Sequence, residues 1–91
     1  MIFKELFQLI KSRKEELPEE SYVASLFKSG KDRVAQKVGE EAVEVVIAAK
    51  NNDKKTQISE ISDLCFHTMI LMAELDITIE DISKELESRK K

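Results

Sequence analysis

The sequence predicts an all-α domain, and three observations carry that prediction. Charged residues make up 36% of the chain and aromatics only 5%, whereas a sheet would ask for more β-branched and aromatic side chains. Turn punctuation is sparse, with two glycines and one proline. Apolar residues recur at the three-and-four spacing of a helix in successive stretches. At 91 residues the chain suits one domain, small enough that a single copy buries only a modest share of its surface. The expectation is therefore a bundle of four to five helices, completed by homodimerisation. Residues 1–18 would form an N-terminal helix and connector, and 19–91 the helical core.

Residues 2–13 carry Ile2, Phe3, Leu6, Phe7, Leu9 and Ile10, an amphipathic helix that fades into Lys11–Glu16. Pro18 lacks an N–H and disfavours helix at Leu17, so a break is expected there. A short helix over 19–28 follows, with Tyr22, Val23, Leu26 and Phe27 on its buried side. Ser29-Gly30 ends it, glycine suiting the left-handed position after a helix. Asp32 reads as the N-cap of a long helix over 33–50, with an apolar stripe of Ala35, Val38, Ala42, Val45, Val46 and Ala49. Gly39 inside it costs about 1 kcal/mol relative to alanine; it marks either a close approach or a tolerated defect.

Asn51–Lys55 is a short polar loop of the kind that joins antiparallel helices. The helix expected over 56–75 has a stripe of Ile58, Ile61, Cys65, Met69 and Met72, broadened by Leu64, Phe66, Ile70, Leu71 and Ala73. Such a helix needs covering on several sides, which a second copy would supply. Cys65 and the two methionines read as core filler. Thr78 reads as the N-cap of a final helix, with Asp81 three residues on and Ile77/Ile82 as a hydrophobic staple. That helix shows Ile79, Ile82 and Leu86 on one face and frays into Arg89-Lys90-Lys91.

A net charge of -3 gives no general electrostatic reason to bind nucleic acid or an anionic membrane. No apolar run approaches the roughly 20 residues of a membrane span, and the N-terminus lacks the apolar core of a signal peptide. The single cysteine excludes an intramolecular disulfide and fits a reducing, cytoplasmic setting.

Chemistry concentrates where two helices carry acids beside their apolar stripes. Lys37, Glu40, Glu41 and Glu44 form a continuous polar stripe, and like charges at i,i+4 oppose a helix by a few tenths of a kcal/mol, roughly, per pair. Glu41/Glu44 and Glu60/Asp63 are spaced i,i+3 on consecutive helices, so closing the hairpin would bring four carboxylates into one space. Such a cluster either raises some pKa values or binds a cation. Oxygen-only ligands select Mg²⁺, or alternatively Mn²⁺, rather than zinc. Mg²⁺ takes substrate phosphates as further ligands, which suggests a phosphate-bearing substrate. Glu16 and Glu19 repeat the spacing, but Pro18 between them denies a shared helical face. In a chain with 18 acidic residues a solvated face is the competing reading.

Ser21–Phe27 followed by Gly30, then the run Gln36–Ala49, then Glu60, Asp63-Leu64 and His67, together resemble the phosphoribosyl-ATP pyrophosphohydrolases of histidine biosynthesis. The resemblance covers about residues 20–88. The wider MazG-like all-α group of NTP pyrophosphatases, dimeric dUTPases included, shares only the acidic core. Arg33 stands where many members have lysine, which keeps charge but changes geometry.

The resemblance implies hydrolysis of phosphoribosyl-ATP to phosphoribosyl-AMP and pyrophosphate, between the α and β phosphorus atoms. Glu41, Glu44, Glu60 and Asp63 would hold Mg²⁺, and Glu40 or Glu41 would orient or deprotonate the attacking water. Lys37, with Lys28, Lys31 and Arg33 around the Gly30 turn, would contact the polyphosphate; solvated surface charges are the alternative for those three. A phosphoribosyl-AMP cyclohydrolase domain, often fused in the family, is expected on a separate chain. His67 either supports a metal-bound carboxylate or is a satisfied polar group at a packing seam; Tyr22 either stacks on a base or packs. Two rival functions remain open from sequence: a house-cleaning nucleotide pyrophosphatase, and a helical dimerisation module whose acids are merely solvated.

Overall fold

The computed structural model describes residues 2–90, so the expectations that touch Met1 and Lys91 fall outside it. Among the described residues there are five helices and no strand, and each helix end has a local cause. Helix α1 is Ile2–Glu16, longer than the fading periodicity suggested. It stops where Pro18 acts: Leu17 turns to φ 48 while its N–H still reaches the Arg13 carbonyl at 2.9 Å.

Helix α2 is Tyr22–Ser29 and starts later than expected. Ser21 is the cap, its Oγ accepting the Ala24 N–H at 3.1 Å. Gly30 alone separates α2 from α3, which is Lys31–Ala49. At φ 99 and ψ 165 it occupies backbone space that essentially only glycine enters. Its N–H reaches Phe27 O at 3.3 Å and its carbonyl accepts from Val34 N at 3.2 Å, so one residue ends one helix and opens the next. This corrects the assignment of Asp32 as N-cap: Asp32 lies inside the first turn of α3, where its charge still meets the positive end of the helix dipole.

Helix α4 is Lys54–Glu74, beginning earlier than expected because Asp53 caps it. Its Oδ1 accepts from Lys55 N at 3.2 Å and Thr56 N at 3.4 Å. Gln57 Nε2 clamps the α3–α4 turn, donating to the carbonyls of Ala48 and Asn51 at 3.2 and 2.6 Å. These two helices make the most extensive interhelical contact. At the far end of α4, Lys14 Nζ donates to the Ala73 carbonyl at 2.8 Å and pairs with Asp76 at 3.6 Å, a cation set on last-turn carbonyls. Helix α5, Ile79–Ser88, opens with the expected capping box between Thr78 and Asp81. Among the described residues no helix is long and apolar enough to cross a membrane.

The core lies at one end of the α3–α4 hairpin. Phe7 and Ile10 of α1, Leu26 of α2, Val34 of α3, and Met69, Ile70 and Ala73 of α4 form it. Toward the turn the hairpin is open apart from the buried Ala48. Val43, Val46, Ile47, Ile58 and Ile61 are each at least half exposed. The expected α4 stripe is therefore buried only from Met69 onward, and Cys65 is exposed rather than core filler. In α3 the buried residues are Val34 and Ala48, while Ala35, Val46 and Ala49 of the expected stripe are exposed. Tyr22, expected on the buried side of α2, is half exposed, and Ile2, Phe3 and Leu9 face outward from α1. The stripes were real, but α1 and α2 cover only half the length of the hairpin. Outside its own stretch of helix, no atom lies within 4 Å of where a Cβ would stand on Gly39, so no other part of the described chain approaches it closely.

Replacing Gly30 forces a side chain onto that positive-φ backbone. Gly30→Ala is expected to cost about 1–3 kcal/mol, seen as a lower urea midpoint with an unchanged slope; an unchanged midpoint would contradict the strained-joint reading.

Candidate active site

The hairpin sets α3 and α4 side by side with their acids at one level. One carboxylate oxygen each from Glu41, Glu60 and Asp63 lies within 4.8 Å of the others. Glu41 and Glu60 are half-buried and Asp63 is exposed. Glu44 is exposed and stands outside this group of three, yet its charge reaches it. The Glu60 carboxyl is raised from its ordinary value, first by partial burial and then by the charges of Asp63, Glu44 and Glu41. The four expected acids thus form a close trio with a fourth acting through its field.

Beside the trio runs a basic strip on α3. Lys37 Nζ sits 3.3 Å from Glu40 Oε1 and 3.6 Å from Glu41 Oε1, so it bridges the two adjacent glutamates. Its pKa is raised, chiefly by the hydrogen bond to Glu40. Glu40 also accepts from Gln36 Nε2 at 3.0 Å and pairs with Arg33 Nη1 at 3.5 Å, and the Lys37 hydrogen bond is the main reason its own pKa falls. Of the two candidate water-handling residues, then, Glu41 faces the acids and Glu40 faces the bases. Lys28 and Lys31 stand exposed on either side of the Gly30 joint.

His67 is buried, and both of its ring nitrogens are engaged. Nδ1 lies 2.8 Å from the Asp63 carbonyl, which can only accept, so Nδ1 carries the proton. In the neutral ring Nε2 is then the acceptor for the Tyr22 hydroxyl at 2.7 Å. The imidazole is a satisfied polar group at the α2–α4 seam, one of the two readings open from sequence. It ties Tyr22 to the backbone of the turn that carries Asp63. Sequence reasoning gave no role to Gln36, although its i,i+4 relation to Glu40 was a legible signal. The Tyr22–His67 contact left no such trace, since 45 residues separate the partners.

A family model described as phosphoribosyl-ATP pyrophosphohydrolase matches residues 3–90. The chain belongs to this family. The phosphoribosyl-ATP pyrophosphatase of Leptospira biflexa is 56% identical over 84 residues, spanning 92% of this chain and 91% of that protein. That of Listeria innocua is 51% identical over 89 residues, 98% of this chain and 85% of the relative. The histidine biosynthesis bifunctional protein HisIE of Thermotoga maritima is 47% identical over 87 residues, 96% of this chain but 44% of that longer protein. The chain thus spans less than half of the bifunctional relative and most of the others. In this phosphoribosyl-ATP pyrophosphohydrolase family member, the motif stretches read from sequence all lie within the matched span.

The raised pKa of Glu60 makes a signed prediction for the metal-free protein. A carboxylate whose folded pKa is raised contributes stability below its unfolded pKa and loses it as pH rises through the folded value. Glu60→Gln should therefore melt higher than the native protein at pH 7, the difference closing below the ordinary glutamate range. Equal melting temperatures at pH 7 would show that Glu60 is under no electrostatic load.

Proposed function

We propose that this chain hydrolyses phosphoribosyl-ATP to phosphoribosyl-AMP and pyrophosphate, the second step of histidine biosynthesis, as a Mg²⁺-dependent cytoplasmic enzyme. The observation that carries the reading is the carboxylate trio on the α3–α4 hairpin, in a chain of this family. The donor set suits a hard divalent ion: it is all oxygen, its ligand atoms lie close together, and the Glu60 carboxyl is raised by partial burial and then by neighbouring negative charge. Glu41, Glu60 and Asp63, with Glu44 beside them, would hold Mg²⁺, or Mn²⁺ in its place. The ion would supply charge neutralisation for the triphosphate and a Lewis acid at the α–β anhydride.

The chain's own residues divide the remaining work. Lys37 and Arg33 meet the phosphates from the basic strip, with Lys28 and Lys31 forming an outer rim around the Gly30 joint. Glu41 orients the attacking water, being the member of the adjacent pair that faces the acids. Glu40 holds Arg33, Gln36 and Lys37 in place through its two carboxylate oxygens. The water oxygen bonds to phosphorus of the α–β anhydride as its bridging P–O bond breaks, the water's proton passes to Glu41 and on to solvent, and pyrophosphate leaves with the bond's electron pair.

The bare end of the hairpin belongs to the same reading. Val43, Val46, Ile47, Ile58 and Ile61 lie on the two helices that carry the acids, and clustered exposed side chains of this kind are what an interaction site presents. We assign it to a second copy of the chain, giving a homodimer.

Two measurements test these statements. Pyrophosphate release from phosphoribosyl-ATP should require Mg²⁺, stop with chelator, and fall on the order of a hundredfold or more in Glu41→Gln and Glu44→Gln, judged from losses on disturbing metal sites. Brisk turnover of a deoxynucleotide with none of phosphoribosyl-ATP would overturn the substrate assignment, and full activity in both variants the metal assignment. Light scattering at micromolar concentration should give twice the 10.4 kDa chain mass; a single-chain mass would overturn the dimer.

A further inference from the structure

The bridging position of Lys37 has no counterpart among the other basic residues of the site. Its ammonium is shared between Glu40 and Glu41, at 3.3 and 3.6 Å, and Glu41 is also one of the three clustered acids. The lysine side chain is only 19% exposed and that of Glu41 14%, so water screens this pair less than it would at an open surface. An ammonium and a divalent cation cannot both sit on one small carboxylate without strong mutual repulsion. Glu40, by contrast, is tethered away from the trio by Gln36 and Arg33. It offers Lys37 a carboxylate to keep when Glu41 is given up.

We infer that Lys37 is the built-in counter-cation of Glu41, competing with the divalent metal for that carboxylate and shifting wholly onto the Glu40 side when the metal binds. The inference rests on the metal reading above and adds to it an order of exchange. Glu40 becomes a positioning residue: a fixed post that receives the displaced ammonium and holds it at the edge of the phosphate site. By linkage, any polyphosphate that draws Lys37 away from Glu41 strengthens metal binding, and the metal strengthens polyphosphate binding by the same factor.

The test is calorimetric titration of Mn²⁺ into the 91-residue chain without nucleotide. Native protein is compared with Lys37→Gln and with Lys37→Met, which keeps the aliphatic stem. Lys84→Gln, on α5, controls for net charge. Both Lys37 variants should bind Mn²⁺ about threefold to tenfold more tightly, the scale of one partly screened ion pair, while Lys84→Gln matches the native protein. Unchanged or weaker binding in the Lys37 variants, with the native protein binding normally, would overturn this inference and leave the metal reading standing. Absence of Mn²⁺ binding in every protein would overturn the metal reading, and the inference with it.

Discussion

The enforced closeness of three carboxylates, those of Glu41, Glu60 and Asp63, is the constraint around which this molecule is arranged. Carboxylates with oxygens inside 4.8 Å of one another would separate on a flexible chain. Here they cannot, because they project from two helices zipped together beside them. The clamp at the turn, through Gln57, and the core at the other end fix the register of α3 against α4 on both sides of the acids. Residual load then shows where it must: in Glu60, whose carboxyl is pushed up by burial and by its neighbours, and in Lys37, drawn between Glu40 and Glu41.

The same hairpin explains the division of apolar surface. α1 and α2 cover only the end of the hairpin where Val34, Met69, Ile70 and Ala73 lie. Toward the turn, valines and isoleucines of both helices stay open. A domain of this size gains little from a core in half its length, and the proposed second copy would supply the missing half. It would also fix the acid-bearing helices from the outer side, which ties assembly to the rigidity of the site.

Much of this was legible in the sequence, and the misses have physical reasons. Acid pairs at i,i+3 beside apolar stripes were enough to expect Glu41, Glu44, Glu60 and Asp63 in one space, because helical spacing is fixed and a short loop dictates antiparallel pairing; three of them do cluster, and Glu44 stands outside the group. Pro18 and the Thr78–Asp81 box read correctly since their effects are confined to a few residues. The start of α3 did not: a one-residue joint at Gly30 leaves no room for a separate cap, and Asp32 is a good cap only if the helix begins later. Cys65 was placed in a core because periodicity tells which side of a helix is apolar but not how far along its neighbours reach. The partition of Glu40 and Glu41 between bases and acids turns on about 100° of helix rotation per residue, too fine to assign without the partner helix in view. His67 could be placed only with Tyr22 known to stand across from it.

The most direct measurement of the central claim is an Mn²⁺ titration followed by amide NMR. Paramagnetic broadening should first remove the signals of residues around Glu41, Glu60 and Asp63, and spare those of α5 and the Lys14–Asp76 corner. Broadening spread evenly over the acidic surface, or centred away from the α3–α4 hairpin, would contradict a divalent-cation site between these helices.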